Sequence, residues 1–187
     1  MIMSDYVIEG FPSSILEHAT GAVAVIDNDH KYIHKGQLFE SFVKTTILAG
    51  GTYIVAIKTP LDKELHYRPS GISPSADKVT VELLEGGTYT GGTDIPVINH
   101  KRSGGLSATQ AVKGGVTVSA AGTLITQVFL PGSTGVGQSR TGGAFSGATN
   151  EWILEKDTVY LYRITNGSAE SNTVQVNFFW YEEDEIS

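Results

Sequence analysis

Apolar and polar residues alternate in short runs along most of the chain. The clearest run is TVQVNFFW at residues 173–180. Its apolar positions with a spacing of two are Val174, Val176, Phe178 and Trp180. Because successive side chains of a β-strand point to opposite faces of a sheet, this pattern predicts a strand with one buried face.

Many other short runs predict strands, and no long segment has the 3.6-residue period of a helix. The strong runs are residues 51–57, 78–83, 123–130, 158–164 and 173–180. The weaker runs are residues 38–43, 65–68, 94–98, 115–118 and 151–154. Short strands without intervening helices predict an all-β protein, an antiparallel β-sandwich with a jelly-roll-like arrangement of about eight strands.

The two ends of the chain differ from this pattern. Residues 1–35 contain few strand-forming runs, so we interpret them as an N-terminal arm or extension, with a frayed terminus as the alternative. Residues 36–182 form the predicted sandwich domain. Residues 183–187 are interpreted as an acidic tail, because the acidic run that begins at Glu182 is typical of a solvated terminus.

One internal segment is rich in glycine. Residues 132–149 read GSTGVGQSRTGGAFSGAT, in which Arg140 is the one charged residue. This composition predicts a long flexible loop between two strands, and such loops are usually functional or disordered.

Composition limits the classes of function. A length of 187 residues predicts one domain, and the absence of cysteine excludes disulfides and thiolate metal sites. The net charge of −7 disfavours a grip on nucleic acid. The first thirty residues contain no lysine or arginine and no apolar stretch of membrane-spanning length, so we expect neither a signal peptide nor a membrane partner.

Motifs for catalysis and cofactors are incomplete. Gly135-Val136-Gly137 begins a dinucleotide fingerprint, but Arg140 stands at the place of the third glycine. Ser139 follows Gly137 as in a nucleophile elbow, but Thr141 replaces the second glycine. We therefore expect no enzymatic activity and no cofactor.

The histidines are predicted to be structural or ordinary polar residues. His30 and His34 would share one face of a helix at a spacing suited to zinc. Because Gly36 and a predicted strand follow, we expect an extended segment in which the two rings are too far apart for one metal. His66 and His100 lie beside apolar runs, where hydrogen-bonded structural roles are more common than metal ligation.

Two parts of the chain resemble a block found in structural proteins of tailed bacteriophages. The first is DHKYIHKGQLF at residues 29–39. The second comprises EWIL at 151–154, DTVYLYRITN at 157–166 and FWYE at 179–182. With shorter motifs in the same order between them, the resemblance covers residues 29–182. The family consists of virion proteins of the capsid decoration, or cement, type.

The resemblance implies a β-sandwich or jelly-roll body on the outer surface of the capsid. The implied partners are the major capsid protein of the same phage and further copies of this chain, a trimer in preference to a dimer. It implies no enzymatic activity, no cofactor and no metal, and the protein would be made in the host bacterial cytoplasm.

Nine residues are predicted to contact the capsid or neighbouring subunits. They are Tyr6, Ile8, Phe11, His30, Tyr32, His34, Phe39, Arg140 and Trp152. The family more commonly has a His-His pair where this chain has His30-Lys31, which leaves the role of that pair open.

Other functions stay open at this point. A head- or tail-fibre module that binds host-surface glycan would use Trp152, Trp180 and Tyr181 as a stacking surface, although the alternation predicts Trp180 in the core. A polysaccharide-degrading enzyme would need two facing carboxylates, and no pair stands out. The candidate carboxylates are Glu82, Glu85, Asp94 and Glu151. A cupin-like metal site would need His66, His100 and Glu82 to converge.

Overall fold

The computed structural model describes residues 28–74, 78–130 and 151–184. It is mostly strand, so the all-β prediction is confirmed. The helix is α1 (Asn28–Lys35). The strands are β1 (Leu38–Ile47), β2 (Thr52–Lys58), β3 (Lys63–Pro74), β4 (Val79–Glu85), β5 (Thr88–Thr90), β6 (Thr93–Asp94), β7 (Val97–Asn99), β8 (Ala111–Gly114), β9 (Thr117–Ala120), β10 (Thr123–Leu130), β11 (Trp152–Leu154), β12 (Val159–Asn166) and β13 (Asn172–Asp184).

Two antiparallel sheets pack face to face as a β-sandwich. The five-stranded sheet has the order β11-β3-β13-β1-β7, and the six-stranded sheet has the order β10-β4-β12-β2-β8-β6. The small β5-β9 sheet packs through Tyr89 and Val118 against a cluster that includes Leu161 of β12. The short strands β5 and β8 lie outside all the strand-forming runs found in the sequence.

The main core lies between the two large sheets. Val174, Val176, Phe178 and Trp180 are each at most 1% exposed, so the predicted buried face of β13 is confirmed. Phe178 meets Tyr162 of β12 edge to face, with ring centroids 5.1 Å apart. The apolar area removed from water by such side chains is the largest favourable contribution to folding.

Helix α1 covers part of the outer face of the five-stranded sheet, the face that points away from the main core. The strand register places Ile153, His66, Tyr181 and Leu38 side by side across four strands. Tyr32 of α1 packs on Tyr181 and Leu38 in a small apolar cluster separate from the main core. The helix is therefore held by tertiary contact with this face.

The helical conformation of residues 28–35 corrects the prediction of an extended segment. Asp29 lies in the first turn and Lys35 in the last, where each charge complements the helix dipole. Gly36 then takes φ +72°, and the amide of Gln37 donates to Tyr32 O, which closes the helix with a glycine cap. The pattern failed here because a helix of eight residues shows little apolar periodicity.

The acidic end is partly structured, so the prediction of a solvated tail over residues 183–187 is corrected for Glu183 and Asp184, which belong with Glu182 to β13. Glu182 is 1% exposed and accepts hydrogen bonds from Thr109 N at 3.0 Å and Thr109 Oγ1 at 2.6 Å. A buried carboxylate is tolerated when donors satisfy it, and these donors come from a distant loop. Residues 185–187 lie outside the described residues.

Candidate functional site: the network that anchors the N-terminal helix

Polar and aromatic side chains connect α1 to the outer face of the five-stranded sheet. We call this set the α1 network. It comprises Asp29 and Tyr32 of α1, His66 and Arg68 of β3, Tyr181 and Glu183 of β13, and Glu151, which immediately precedes β11. Three separate parts of the chain thus meet the helix at one place.

Three rings stack at the centre of the α1 network. Tyr181 lies between Tyr32, with centroids 3.9 Å apart and planes at 15°, and His66, with centroids 4.4 Å apart and planes at 13°. Strand pairing explains half of the stack, since Tyr181 and His66 are register partners. Aromatic contacts of this kind add roughly 0.5–1.5 kcal/mol beyond the area that they bury.

Glu151 is the acceptor that joins these rings to Arg68. Its carboxylate lies 2.6 Å from Tyr181 Oη, 2.9 Å from His66 Nδ1 and 2.9 Å from Arg68 Nε. Burial acts to raise the pKa of Glu151, but the hydrogen bonds from Tyr181, His66 and Arg68 outweigh burial and lower it. Glu151 is therefore held as a carboxylate, which makes His66 Nδ1 and Tyr181 Oη donors.

Two contacts attach the helix itself. The Arg68 guanidinium pairs with Asp29, and the Tyr32 hydroxyl donates to Glu183. Burial, followed by the hydrogen bond to Glu183, raises the pKa of Tyr32 and keeps its hydroxyl protonated. Asp29 and Tyr32 lie about one turn apart on α1, and each contacts a different residue of the sheet. The network therefore fixes the orientation of α1 as well as its position.

The same geometry limits what the network can do chemically. His66 Nε2 is buried without a hydrogen-bond partner, and the closest carboxylate oxygens, from Glu183 and Glu64, lie 3.6 and 3.8 Å away. Over residues 28–74, 78–130 and 151–184, no group of three or more histidine or carboxylate side chains is placed to hold a metal ion. The arrangement is suited to anchoring a helix.

The predicted contact residues fall into different environments. His30 and His34 are exposed on α1, and Trp152 is 37% exposed on an edge strand. Tyr32 is 3% exposed and Phe39 is 1% exposed, so both are corrected to internal packing residues. The predicted residues that lie outside the described part of the chain are Tyr6, Ile8, Phe11 and Arg140.

The residues considered for other functions do not converge. His66 and His100 lie on or beside the five-stranded sheet, whereas Glu82 lies on β4 of the other sheet and pairs with Arg163 at 2.6 Å. Trp180 and Tyr181 are buried, which leaves Trp152 as the exposed aromatic residue of the proposed sugar surface. The hydrogen bond predicted for His66 is present, between Nδ1 and Glu151 Oε1.

The structure also reveals exposed apolar side chains on edge strands. Phe129 of β10 is 59% exposed, and Ile153 of β11 is 63% exposed. Each strand is the outermost one of its sheet. An open strand edge offers unpaired backbone groups to another chain, and an exposed apolar side chain beside it adds area for such a contact. Alternation alone predicts them as strand residues but does not show that their neighbours leave them uncovered.

No helix in the described part of the chain has the length and apolar character of a transmembrane segment.

Comparison with known proteins finds no matching family model, no similar curated protein and no similar solved structure. The resemblance to capsid decoration proteins therefore stays a prediction carried by the sequence motifs, and the site must be interpreted from its own geometry.

Proposed function

We propose that this chain is a structural protein of a bacteriophage virion that binds the outer surface of the capsid and stabilises the lattice of the major capsid protein. In this proposal it is not an enzyme and uses no cofactor. The observation that carries it is the α1 network, because this network ties the helix that follows residues 1–27 firmly to the sandwich. An N-terminal arm attached there can transmit force between the capsid and a rigid body.

Such a protein would stabilise the capsid because its binding is thermodynamically coupled to the assembly of the lattice. A ligand that binds only the assembled lattice stabilises that lattice by mass action. In this proposal residues 1–27 contact the capsid, so the point at which they join the sandwich must be held firmly. Asp29 and Tyr32 supply that anchor through Arg68 and Glu183.

We further infer that the eight main strands form a jelly roll. In one sheet β13 lies between β1 and β3, with β11 outside β3. In the other sheet β12 lies between β2 and β4, with β10 outside β4. In each sheet, the main strand that comes last in the sequence lies between the two main strands that come first. This repeated order supports two interleaved Greek keys. Residues 86–122 would then be an insertion that adds β5 to β9.

The proposed assembly is a closed homo-oligomer, a trimer in preference to a dimer. The exposed side chains of Phe129 and Ile153 on edge strands support a contact between copies. A closed oligomer engages several capsid positions at once, so its avidity exceeds the affinity of one subunit.

The test is co-sedimentation of the purified protein with expanded, undecorated capsids, together with its mass in solution. We expect saturable binding at a fixed copy number. A variant that lacks residues 1–27 retains α1 and is expected to fold but to bind weakly. Binding of this variant at full strength would refute the role of the arm, and absence of binding by the full chain would refute the proposal.

A fibre module that binds host-surface glycan is the second candidate. The partial exposure of Trp152, next to the exposed Ile153, favours it, because an aromatic face at a strand edge can stack on a sugar ring. A glycan array with the full chain and with Trp152→Ala tests this candidate. Sugar binding that depends on Trp152, without capsid binding, would replace the first proposal with the second.

A further inference from the structure

Two histidines lie one helical turn apart on the exposed side of α1. His30 Nε2 and His34 Nε2 lie 2.9 Å apart in a hydrogen bond between the two rings, whose centroids are 4.4 Å apart. Both side chains are exposed, and neither belongs to the α1 network. The pair is therefore a feature of α1 that the anchoring network does not use.

A metal ion between the two nitrogens takes the place of the hydrogen in this bond, with each ring then protonated at Nδ1, because the distance between the nitrogens also matches a chelate. Two metal–nitrogen bonds of about 2.05 Å that meet at about 90° place their nitrogens about 2.9 Å apart, whereas a tetrahedral angle requires about 3.3 Å. Angles near 90° between nitrogen ligands are typical of Cu(II) and Ni(II), and Cu(II) binds most tightly in the divalent series. In this arrangement each imidazole binds through its neutral Nε2.

The surroundings leave this side of the helix accessible. Lys31 and Lys35, the cations beside the two histidines in the chain, place their Nζ atoms 5.1 and 5.9 Å from the centroid of the Tyr32 ring. Asp29 is engaged by Arg68. The helix is also held in place by the α1 network, so the two imidazoles are presented on a preorganised backbone, which lowers the entropic cost of chelation.

We propose that His30 and His34 form a two-histidine site for a divalent transition metal, with Cu(II) as its preferred ion. Water fills the remaining coordination positions. A metal bound at this site cross-links successive turns of α1 and so stabilises the helix from which the N-terminal residues extend. The site does not depend on the proposed function, because it follows from the geometry of the pair alone.

Titration of the full-length protein with Cu(II), followed by calorimetry and visible absorption, tests the proposal. We expect one Cu(II) per chain at this site. His34→Ala should weaken binding by at least about tenfold, since the loss of even an outer-shell partner of a metal ligand has an effect of about that size. His18→Ala is the matched control, because it removes a histidine from the chain but leaves the pair intact.

A second variant separates geometry from the number of histidines. In the double variant His34→Ala/Lys35→His the chain keeps five histidines, but the pair has a spacing of five and no longer shares one face of the helix. Binding as weak as that of His34→Ala is expected. Unchanged affinity in either variant would overturn the proposal.

Electron paramagnetic resonance of the Cu(II)-loaded wild-type protein gives a readout that does not require any variant to fold. Coupling to two imidazole nitrogens is expected. A spectrum typical of amine and backbone-amide ligands would place the metal elsewhere and would also overturn the proposal.

Discussion

Replacing the central acceptor of the α1 network tests whether the network anchors the helix. Glu151→Gln keeps the size of the side chain but removes its charge and places an amide donor beside the groups that donate to Glu151. Three hydrogen bonds are affected, from Tyr181, His66 and Arg68. Hydrogen bonds to a charged group contribute roughly 1.5–3 kcal/mol each when they are fully protected from water.

The expected loss of stability is smaller than three such hydrogen bonds would give together. The Glu151 side chain is 26% exposed, so water replaces part of what the amide cannot provide. We expect the free energy of unfolding to fall by about 2–3 kcal/mol at neutral pH. Urea denaturation followed by circular dichroism measures this loss. Glu155→Gln, at an exposed carboxylate that immediately follows β11, is the matched control and should change stability by less than about 0.5 kcal/mol.

The pH dependence gives a sharper test of the same reasoning. The pKa of Glu151 in the folded protein is lowered from its ordinary value of 4.5. The stability that its charge contributes is therefore fully present above pH 4.5 and is lost as the pH falls through the folded-state pKa. The difference between wild type and Glu151→Gln should shrink in that range. A loss below 0.5 kcal/mol at neutral pH, or a difference that does not change on acidification, would refute the assignment of Glu151 as a charged anchor.

Three further predictions concern the sandwich, and denaturant unfolding measures each of them. Trp180→Ala should lower the free energy of unfolding by about 3–5 kcal/mol, because it removes the largest fully buried side chain. Trp152→Ala is the control, and it should cost less than half as much because Trp152 is partly exposed. Equal losses would contradict the assignment of Trp180 to the core. Gly122→Ala should be clearly more destabilising than Gly50→Ala, for which strain at positive φ predicts a loss of about 1 kcal/mol. The reason is that a Cβ at residue 122 would lie 2.2 Å from a backbone oxygen, whereas a Cβ at residue 50 would meet open space. A smaller loss at residue 122 than at residue 50 would contradict this explanation. Glu182→Ala should lower the free energy of unfolding by about 1–3 kcal/mol, because the donors of Thr109 lose their acceptor. Amide hydrogen exchange should also increase in the loop that contains Thr109. Unchanged exchange would show that other contacts hold this loop.

The strands could be predicted from sequence because their signal is local. Alternation over residues 173–180 assigns Val174 and Trp180 to one face, and the sandwich buries that face. The same logic fails for α1, because an eight-residue helix with two histidines and two lysines contains little apolar pattern. Its position depends on Tyr32 meeting Tyr181, a contact between residues far apart in the chain.

The anchoring network could not be predicted for a related reason. Glu151 and His66 are 85 positions apart, and Arg68 and Asp29 are 39 positions apart. Each residue alone resembles an ordinary polar residue at the end or on the face of a strand. The acidic run at residues 182–185 shows the opposite case. A run of carboxylates is usually solvated, but its first residue, Glu182, is buried here because Thr109 of a distant loop donates hydrogen bonds to it. Polar sites assembled by topology leave no spacing that a single sequence can reveal.

The position of β13 has a consequence for biosynthesis. This strand is the last of the described strands, yet it lies in the middle of the five-stranded sheet, between β3 and β1. During translation the nascent chain therefore presents two unpaired strand edges until residue 184 has left the ribosome. Such a chain depends on late, long-range pairing, which slows its folding in comparison with a protein whose contacts are mostly local. A ribosome that stalls before β13 would release a fragment with a split sheet, which is a ready substrate for chaperones and proteases.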